Sequence, residues 1–346
     1  MPRRDVVESR ELEACLASLL TPGRRRDVLR MASRFPDASA SIEEMAIIKR
    51  GGFAPARPAP SGRVRVVVWN VERGRAPDRW AEIDAVRAAD ILLLSEIDDG
   101  MARSGNLDIS AELAQRLGMH YAFAPNYFEF TRGTRAERLA TRGQTNLRAL
   151  HGNAILSRWP LRDVRRIPLP VQFDWFRHYE RRIGTRVALR ATIDNPVKPL
   201  TLAVAHLEAF ATPAQRAHQM RVLLGGLDDA PRAIVGGDFN TLGVAPSWSG
   251  AIRLLGQRAR DVHRFTHSIA EHEPLFEEAR RAGFSWKDLN LPKATWRWHR
   301  FSPSSLRVRL DWVFGRQVNA EPGSPAVVSP QPRLSDHDGL IVELRL

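Results

Sequence analysis

The sequence predicts an α/β sandwich with mixed sheets rather than a purely parallel sheet. Short apolar segments typical of strands begin at residue 64, and amphipathic segments typical of helices separate the first of them. Further along the chain, strand-like segments follow one another without an intervening helix, which favours mixed sheets. The 346 residues, 43% of them hydrophobic, suit one large globular domain with an extension, or two smaller domains.

Taken in order, the chain divides into a helical N-terminal extension and linker (1–63) and a main domain (64–346). Residues 1–50 are predicted to be helical, because apolar residues recur at three- and four-residue spacing, and the Gly- and Pro-rich stretch at 51–63 is typical of a linker. Eight strands and three helices are predicted in the main domain. The strands are VRVVVWN, DILLLSE, GNAILS, TRVALRATI, TLAVAH, RAIVGGDFN, VRLDWVF and LIVEL, and the helices are PDRWAEIDAVRAA, DISAELAQRLG and TPAQRAHQMRVLLGGL.

The amino-acid composition indicates which binding partners and which cellular compartment to expect. Residues 1–63 contain 12 Lys and Arg and 8 Asp and Glu residues, so +4 of the net charge of +13 belongs to the extension and +9 to the main domain. This charge favours polyanions such as nucleic acids, anionic lipid headgroups or phosphorylated small molecules, although a plain bias toward arginine gives the same composition. The single cysteine, Cys15, excludes an internal disulfide. With no signal peptide or membrane-spanning run in the sequence, a cytoplasmic location is expected.

Polar residues end several of the predicted strands. In IVGGDFNT at 234–241, Asp238 and Asn240 point to one side of an extended chain and Phe239 to the other. A simple turn would contain the same residues. However, polar residues recur at other strand ends, and ligands of layered α/β proteins collect there, so a shared site is predicted. These further residues are Asn70, Glu96, His206, Asp311, Asp336 and His337.

These motifs, in this order, resemble the endonuclease/exonuclease/phosphatase superfamily, whose fold is that of deoxyribonuclease I. The resemblance covers about residues 64–346 and implies a four-layer α/β sandwich in which two packed sheets are flanked by helices. It identifies Glu96 as the metal-binding Glu and Glu180 as the residue that orients the catalytic His in several members. The other matches are Asn70 in the first strand, His206 in HLE, Asp238 and Asn240 in GGDFN, Asp311 in LDWVF, and Asp336 and His337 in SDHDGL.

The implied chemistry is metal-dependent hydrolysis of a phosphate ester. Asn70, Glu96 and Asp336 offer the oxygen ligands that suit Mg²⁺, with Mn²⁺ as the alternative. The pairs His337–Asp311 and His206–Glu180 are predicted to hold each imidazole in one tautomer. We assign His337 to water activation, with Asp238 as the rival base. His206 and Asn240 are predicted to contact the phosphoryl oxygens.

These motifs do not determine the substrate, because nucleases, sphingomyelinases and inositol-phosphate phosphatases share the same catalytic residues. A nuclease is favoured by the basic main domain and the segment YERRIGTR. The predicted substrate-binding residues are Asn153, Arg181 and Arg186, with Arg182 in the same cluster. A lipid phosphodiesterase is the alternative, suggested by Trp286, Trp296, Trp298 and Phe301. The intact acids and histidines argue against a catalytically silent binding module, and no protein partner is evident.

Three further histidines form a weaker motif in DVHRFTHSIAEHEPLF. His263 and His267 have the spacing of half a metal site, and His272 follows them. The acidic residues around them favour an exposed helix or loop instead.

Overall fold

The computed structural model describes residues 42, 44–56, 58, 62–194, 199–243, 269–297, 307–330 and 333–345. Within these ranges two β-sheets pack face to face and helices cover their outer faces, which confirms the predicted four-layer sandwich. Most of the predicted N-terminal helices lie outside the described residues. In the described part, Glu44–Ala46 is a 3₁₀ turn. Lys49–Gly52 forms a strand that pairs with the main sheet, so the helical prediction is wrong for residues 49 and 50 and the linker prediction for residues 51 and 52.

The strands are numbered in chain order. Their bounds are β1 Lys49–Gly52, β2 Arg63–Arg73, β3 Ile91–Asp99, β4 His120–Glu129, β5 Leu150–Ser157, β6 Arg162–Pro168, β7 Arg182–Gly184, β8 Val187–Ile193, β9 Leu200–His206, β10 Ala233–Asp238, β11 Trp296–Arg297, β12 Arg307–Val308, β13 Asp311–Arg316, β14 Asn319–Ala320, β15 Ala326–Val328 and β16 Gly339–Arg345.

Each of the two main sheets has a parallel pair of strands near its centre. The first sheet has the order β1-β4-β5-β3-β2-β16-β14, with β7 paired to β4 and β15 to β16, and β2 and β3 are parallel. The second has the order β13-β10-β9-β8-β6, and β9 and β10 are parallel. Strands β11 and β12 form a separate ribbon. The carboxyl ends of each parallel pair therefore lie side by side.

Short helices connect the strands and cover the sheets. Their bounds are α1 Pro77–Glu82, α2 Asp84–Arg87, α3 Ile109–Leu117, α4 Arg135–Ala140, α5 Pro213–Gly225 and α6 Leu275–Arg281. Helix α5 begins at a capping box in which Thr212 and Gln215 satisfy each other's backbone N–H groups, and Pro213 occupies its first turn. None of the helices in the described ranges is both long enough and apolar enough to cross a membrane.

Three apolar layers hold the sandwich together. The layer between the sheets includes Val66 and Val68 from β2 and Val204 from β9, all fully buried. On the other face of β2, Trp69 packs edge-to-face on Trp80 of α1. Strand β2 is covered on both faces, which explains why its sequence is a continuous apolar run rather than an alternating pattern.

The two glycines that precede Asp238 are required by close packing. A Cβ on Gly236 would lie 2.6 Å from a methyl carbon of Val68 in the opposite sheet. A Cβ on Gly237, whose φ is +147°, would lie 1.8 Å from the carbonyl oxygen of Ala205. The glycines therefore let β10 approach both its neighbouring strand and the facing sheet.

Gly237→Ala is expected to destabilise the protein strongly. The disfavoured backbone angle costs about 1–3 kcal/mol, and the steric overlap with Ala205 adds roughly 1–3 kcal/mol. Urea unfolding followed by circular dichroism measures the free energy of unfolding. Gly225→Ala in helix α5 is the matched control, because a Cβ there meets no atom within 4 Å. Equal unfolding free energies for the two variants would contradict this assignment.

Candidate active site

The polar strand ends of both sheets meet at one edge of the sandwich. His206 ends β9 and Asp238 ends β10, and the two residues are in register. Asp238 also pairs with Asp311, the first residue of β13. From the first sheet, Asn70 reaches across and donates from Nδ2 to Asp238 Oδ2 at 3.0 Å. The structure thus brings together the residues that the sequence placed at separate strand ends.

Asn70 and Glu96 are adjacent where the register of the first sheet shifts. The Asn70 Nδ2 also donates to Glu96 Oε1 at 3.2 Å. The pairing of β2 with β3 shifts after Asn70, and that of β3 with β5 shifts between Leu94 and Ile97. Glu96 itself has a φ of 58°, an uncommon value for a residue with a side chain. These irregularities turn the Glu96 carboxylate toward the site.

His337 and Asp311 form the predicted pair. The His337 Nδ1 lies 2.8 Å from Asp311 Oδ2, and both side chains are buried. Burial alone would lower the pKa of His337, but Asp311 and the neighbouring carboxylates raise it well above its usual value. The other ring nitrogen, Nε2, lies 3.6 Å from Asp238 Oδ2. Asp311 therefore favours the protonated form of His337, whose Nε2 lies between Asp238 Oδ2 and, at 3.4 Å, the amide Nδ2 of Asn70.

His206 lies on the other side of Asp238. Its Nε2 is 3.5 Å from Asp238 Oδ2, and its Nδ1 is 3.8 Å from Glu96 Oε1. Burial, reinforced by the positive charge of Arg186, lowers the pKa of His206 to about 3. The two histidines around Asp238 consequently differ in protonation, with His206 neutral.

The predicted contact between Glu180 and His206 is wrong. Glu180 accepts hydrogen bonds from Arg73 at 3.1 Å and from Arg182 at 2.6 Å. It therefore belongs to a buried ion-pair network rather than to the histidine. Sequence reasoning placed Glu180 correctly near the site but assigned it the wrong partner, because two buried arginines compete for its carboxylate.

Arg73 is the principal site residue that the sequence analysis missed. Its guanidinium donates to Glu96 Oε2 at 2.9 Å, and its Nε lies 3.5 Å from Glu137 Oε1. Burial would raise the pKa of Glu96, but Arg73, together with the nearby histidines, holds it well below its usual value. The sequence signal was weak, because Arg73 follows Glu72 in a charged segment that resembles a surface loop.

Two acids at the mouth of the site, Glu72 and Asp336, are linked through the Asp336 backbone and repel each other electrostatically. The Glu72 Oε2 accepts from the backbone N–H of Asp336 at 3.1 Å, and Asp336 Oδ2 accepts from Trp296 Nε1 at 2.8 Å. Burial and the Asp336 carboxylate raise the pKa of Glu72 to about 7, with Glu96 adding to the repulsion. A cation held by these oxygens and Asn70 would relieve this repulsion, so the residues present fit the expected metal. Glu72 is an addition to the predicted ligands.

A second acidic group lies deeper in the site. Ligand atoms of Asp238, Asp311 and His337 lie within 4.8 Å of one another. Among the described residues, this is the group whose ligand atoms lie close enough together to hold a metal ion, and the raised pKa of His337 also suits it to proton transfer.

Asn240 occupies a strained loop position. It has a φ of 49°, its backbone N–H donates to Asp238 Oδ1 at 2.9 Å, and its Nδ2 donates to the carbonyl of Leu207 at 3.0 Å. Asn240 thus fixes both Asp238 and the loop after His206, and its role toward phosphoryl oxygens stays a prediction.

The arginines predicted to line the approach are mostly buried. Arg182 pairs with Glu180, and Arg186 Nε lies 3.4 Å from Glu208 Oε2 with its guanidinium over the Tyr127 ring. Both residues are therefore buried and paired with acids, while Arg181 is exposed, and the predicted role of these arginines in binding substrate stays a prediction. The sequence could not reveal the buried acids that pair with them. Arg186 still acts on the site through its charge.

The remaining predicted residues have mainly structural contacts. Asn153 is buried and donates to the carbonyl of Val187 at 2.7 Å, which links the two sheets. Trp286 packs against Phe276 and Phe314 in the core. His272 lies beside the 3₁₀ turn Ile269–Glu271. His263, His267, Trp298 and Phe301 lie outside the described residues.

Comparisons with known proteins agree with this architecture. A family model described as Endonuclease/Exonuclease/phosphatase family matches residues 67–337. An endonuclease/exonuclease/phosphatase from Beutenbergia cavernae DSM 12333 is 19% identical, with 82% of this chain and 72% of that chain covered and a TM-score of 0.57. A family protein from Leptotrichia buccalis C-1013-b is 15% identical, with coverages of 82% and 100% and a TM-score of 0.52. The human Nocturnin catalytic domain is 18% identical, with coverages of 83% and 96% and a TM-score of 0.47. No curated protein matches the sequence.

Proposed function

The chain belongs to the endonuclease/exonuclease/phosphatase family and so acts on phosphate esters, and we propose that it is a metal-dependent nuclease that cleaves phosphodiesters. The observation that supports this most is the position of Asp238, whose Oδ2 is approached by Asn70, His206 and His337 within 3.6 Å. A carboxylate between a neutral and a charged imidazole, beside a cluster of metal-type oxygens, suits in-line attack by water on phosphorus.

We infer that Asp238, rather than His337, takes the proton from the attacking water. The raised pKa of His337 favours its protonated form, in which Nε2 has no lone pair with which to accept a proton. Burial raises the pKa of Asp238, which makes its carboxylate a stronger base than an exposed one. As the oxygen of water bonds to phosphorus, its proton passes to Asp238 and the bond to the leaving oxygen breaks. In its protonated form, His337 can donate from Nε2 to a phosphoryl oxygen.

We propose that Asn70, Glu96 and Asp336 hold Mg²⁺, with Mn²⁺ as the alternative and Glu72 as an additional ligand. The bound cation supplies neutralisation of the charge on the phosphoryl oxygens. Glu96 suits this role because Arg73 keeps its carboxylate ionised while the Oε1 atom stays directed toward Asn70. Glu96 thus binds Arg73 through Oε2 and directs Oε1 toward Asn70.

The proposed substrate is nucleic acid rather than a lipid. The main domain carries +9 of the net charge, and a polyanion gains more from such a field than a lipid headgroup with one or two charges. A sphingomyelinase-like or phosphoinositide-type activity is the alternative. We place the enzyme in the cytoplasm, in keeping with a sequence that has one cysteine and therefore needs no oxidising compartment.

Binding to nucleic acid is expected to weaken steeply with salt. If six or more phosphates are contacted, affinity should fall about 10³-fold or more between roughly 50 and 200 mM salt through counterion release. Fluorescence anisotropy of a labelled oligonucleotide, with EDTA present to prevent cleavage, measures this slope. The control is the same titration with sphingomyelin and phosphoinositide vesicles.

A parallel hydrolysis screen with Mg²⁺ compares nucleic acid, sphingomyelin and phosphoinositides. Cleavage of nucleic acid with a steep salt dependence supports the proposal. A flat salt response with the oligonucleotide, together with turnover of either lipid, would replace the nuclease by the lipid phosphodiesterase.

A further inference from the structure

A cluster of aromatic rings includes Phe210, in the loop that follows His206. Phe173 and Phe210 stack with centroids 4.3 Å apart and planes 23° apart, and the rings of His178 and Tyr179 lie 4.0 Å apart. Trp175 contacts Phe173, His178 and Phe210, with centroid distances of 4.9 to 5.3 Å. These five residues are called the aromatic platform. Tyr179 is 60% and Phe210 38% exposed, which is unusual for such large rings.

Buried charged residues support the aromatic platform and hold it in place. Trp175 is buried and donates from its indole Nε1 to Glu208 Oε2 at 2.8 Å, while the Arg182 guanidinium lies 4.2 Å from its ring centroid. The other oxygen of Glu208 accepts the backbone N–H of Phe210 at 3.2 Å. Because these contacts fix Trp175 and the Phe210 backbone, the exposed rings are presented in a preformed arrangement.

The aromatic platform is close to the proposed catalytic residues. Phe210 lies four residues after His206, so their Cα atoms are at most about 14 Å apart. The backbone between them is tied to the site, because Leu207 donates to the carbonyl of Asp238 at 2.9 Å. Arg186 contacts Glu208 and also acts electrostatically on Asp238 and Glu96. This distance suits a base attached to, or one nucleotide away from, the phosphate being cleaved.

We propose that the aromatic platform stacks an unpaired nucleobase next to the scissile phosphate, and so selects single-stranded nucleic acid; this proposal rests on the proposed nuclease function. Aromatic side chains stack on any base, since every base has a π-face, whereas the bases of a duplex are already stacked on each other. The exposed Arg177, which pairs with Asp174 at 3.4 Å, and the exposed Arg181 flank the platform. The net charge of +9 on the main domain favours a polyanion as the occupant.

Binding of the full-length protein to two labelled single-stranded oligonucleotides tests this proposal. One carries normal bases, and the other has tetrahydrofuran abasic residues around its centre; both are measured in EDTA by fluorescence anisotropy. The unmodified protein is expected to bind the normal oligonucleotide roughly 5- to 150-fold more tightly, the range of one stacked base. Tyr179→Ala and Phe210→Ala should lose most of this preference while still binding the abasic strand.

The matched control is Phe53→Ala. Phe53 is also an exposed aromatic residue, at 46%, but it follows Gly52, which pairs with the first residue of β4 at the opposite end of the sheet from Glu96. This variant should keep the full preference for bases. Circular dichroism of all three variants checks that their folds are unchanged.

The outcomes separate this proposal from the proposed function. If the unmodified protein shows no preference for bases, or if Tyr179→Ala and Phe210→Ala retain it, the proposal is refuted even when nucleic acid is hydrolysed. A different outcome is that the protein shows the preference, loses it in both variants, and yet shows no Mg²⁺-dependent hydrolysis of nucleic acid. In that case base stacking by the aromatic platform is supported and the nuclease function is refuted. If the two variants instead lose binding to sphingomyelin vesicles and bind both oligonucleotides normally, the platform is a lipid surface and the proposal is wrong.

Discussion

Asp238→Asn is expected to lower kcat by about 10²–10⁴-fold, the range for loss of a general base. The amide has nearly the same shape as the carboxylate but cannot accept a proton from water. Its oxygen can still accept the backbone N–H of Asn240, so the strand end should keep its conformation. Steady-state kinetics on an oligonucleotide, with urea unfolding as the test of folding, measures the effect. Asp228→Asn, on an exposed residue after helix α5, is the control and should leave kcat unchanged.

The same experiment separates Asp238 from its rival, His337. If His337 were the base, it would have to be neutral, and activity would rise only as the pH passes its raised pKa. With Asp238 as the base and His337 acting as imidazolium, activity is instead lost as the pH rises through that pKa. A nearly normal kcat for Asp238→Asn, or a rate that rises continuously into the alkaline range, would return the role of base to His337.

The sequence was sufficient to predict the fold and most of the residues that meet at the site, but not Arg73 or Glu72. Strands such as β2 and β10 are covered on both faces, so each appears as an uninterrupted apolar run with a clear end. Asp238 ends β10, whereas Asn70 stands at the register shift inside β2, three residues before the strand ends. Parallel pairing places His206 beside Asp238, and the packing of the two sheets brings Asn70 to them. These site residues can therefore be predicted from the alternation of side chains along each strand and from the packing of the sheets, even when no individual contact is known.

The partners of individual charges could not be predicted in the same way. Arg182 and Arg186 belong to the cluster predicted to bind substrate, but they are buried and pair with Glu180 and Glu208. Which acid meets which arginine depends on residues far apart in sequence. The same holds for Lys49–Gly52, where no apolar pattern predicts a strand and pairing with β4 produces one.

Glu96→Gln is expected to remove most of the metal-dependent activity. Loss of a charged ligand removes several kcal/mol of electrostatic stabilisation of the transition state, equivalent to a fall in rate of about 10³-fold. Binding of Mn²⁺, followed by electron paramagnetic resonance or calorimetry, should weaken in parallel, which gives a measurement independent of turnover. The substitution also leaves Arg73 with one carboxylate fewer, so a loss of stability of up to about 3–5 kcal/mol is expected from the broken buried pair.

Glu180→Gln is the control that separates these two effects. Glu180 binds the same guanidinium of Arg73 from another side but is not among the contacts of Asn70 or His206 in the described part of the chain. Its replacement should therefore cost comparable stability while Mn²⁺ affinity stays close to normal. Normal Mn²⁺ binding by Glu96→Gln would exclude Glu96 as a metal ligand. A collapse of activity in Glu180→Gln, with Mn²⁺ binding and folding intact, would instead restore to Glu180 a role in orienting His206.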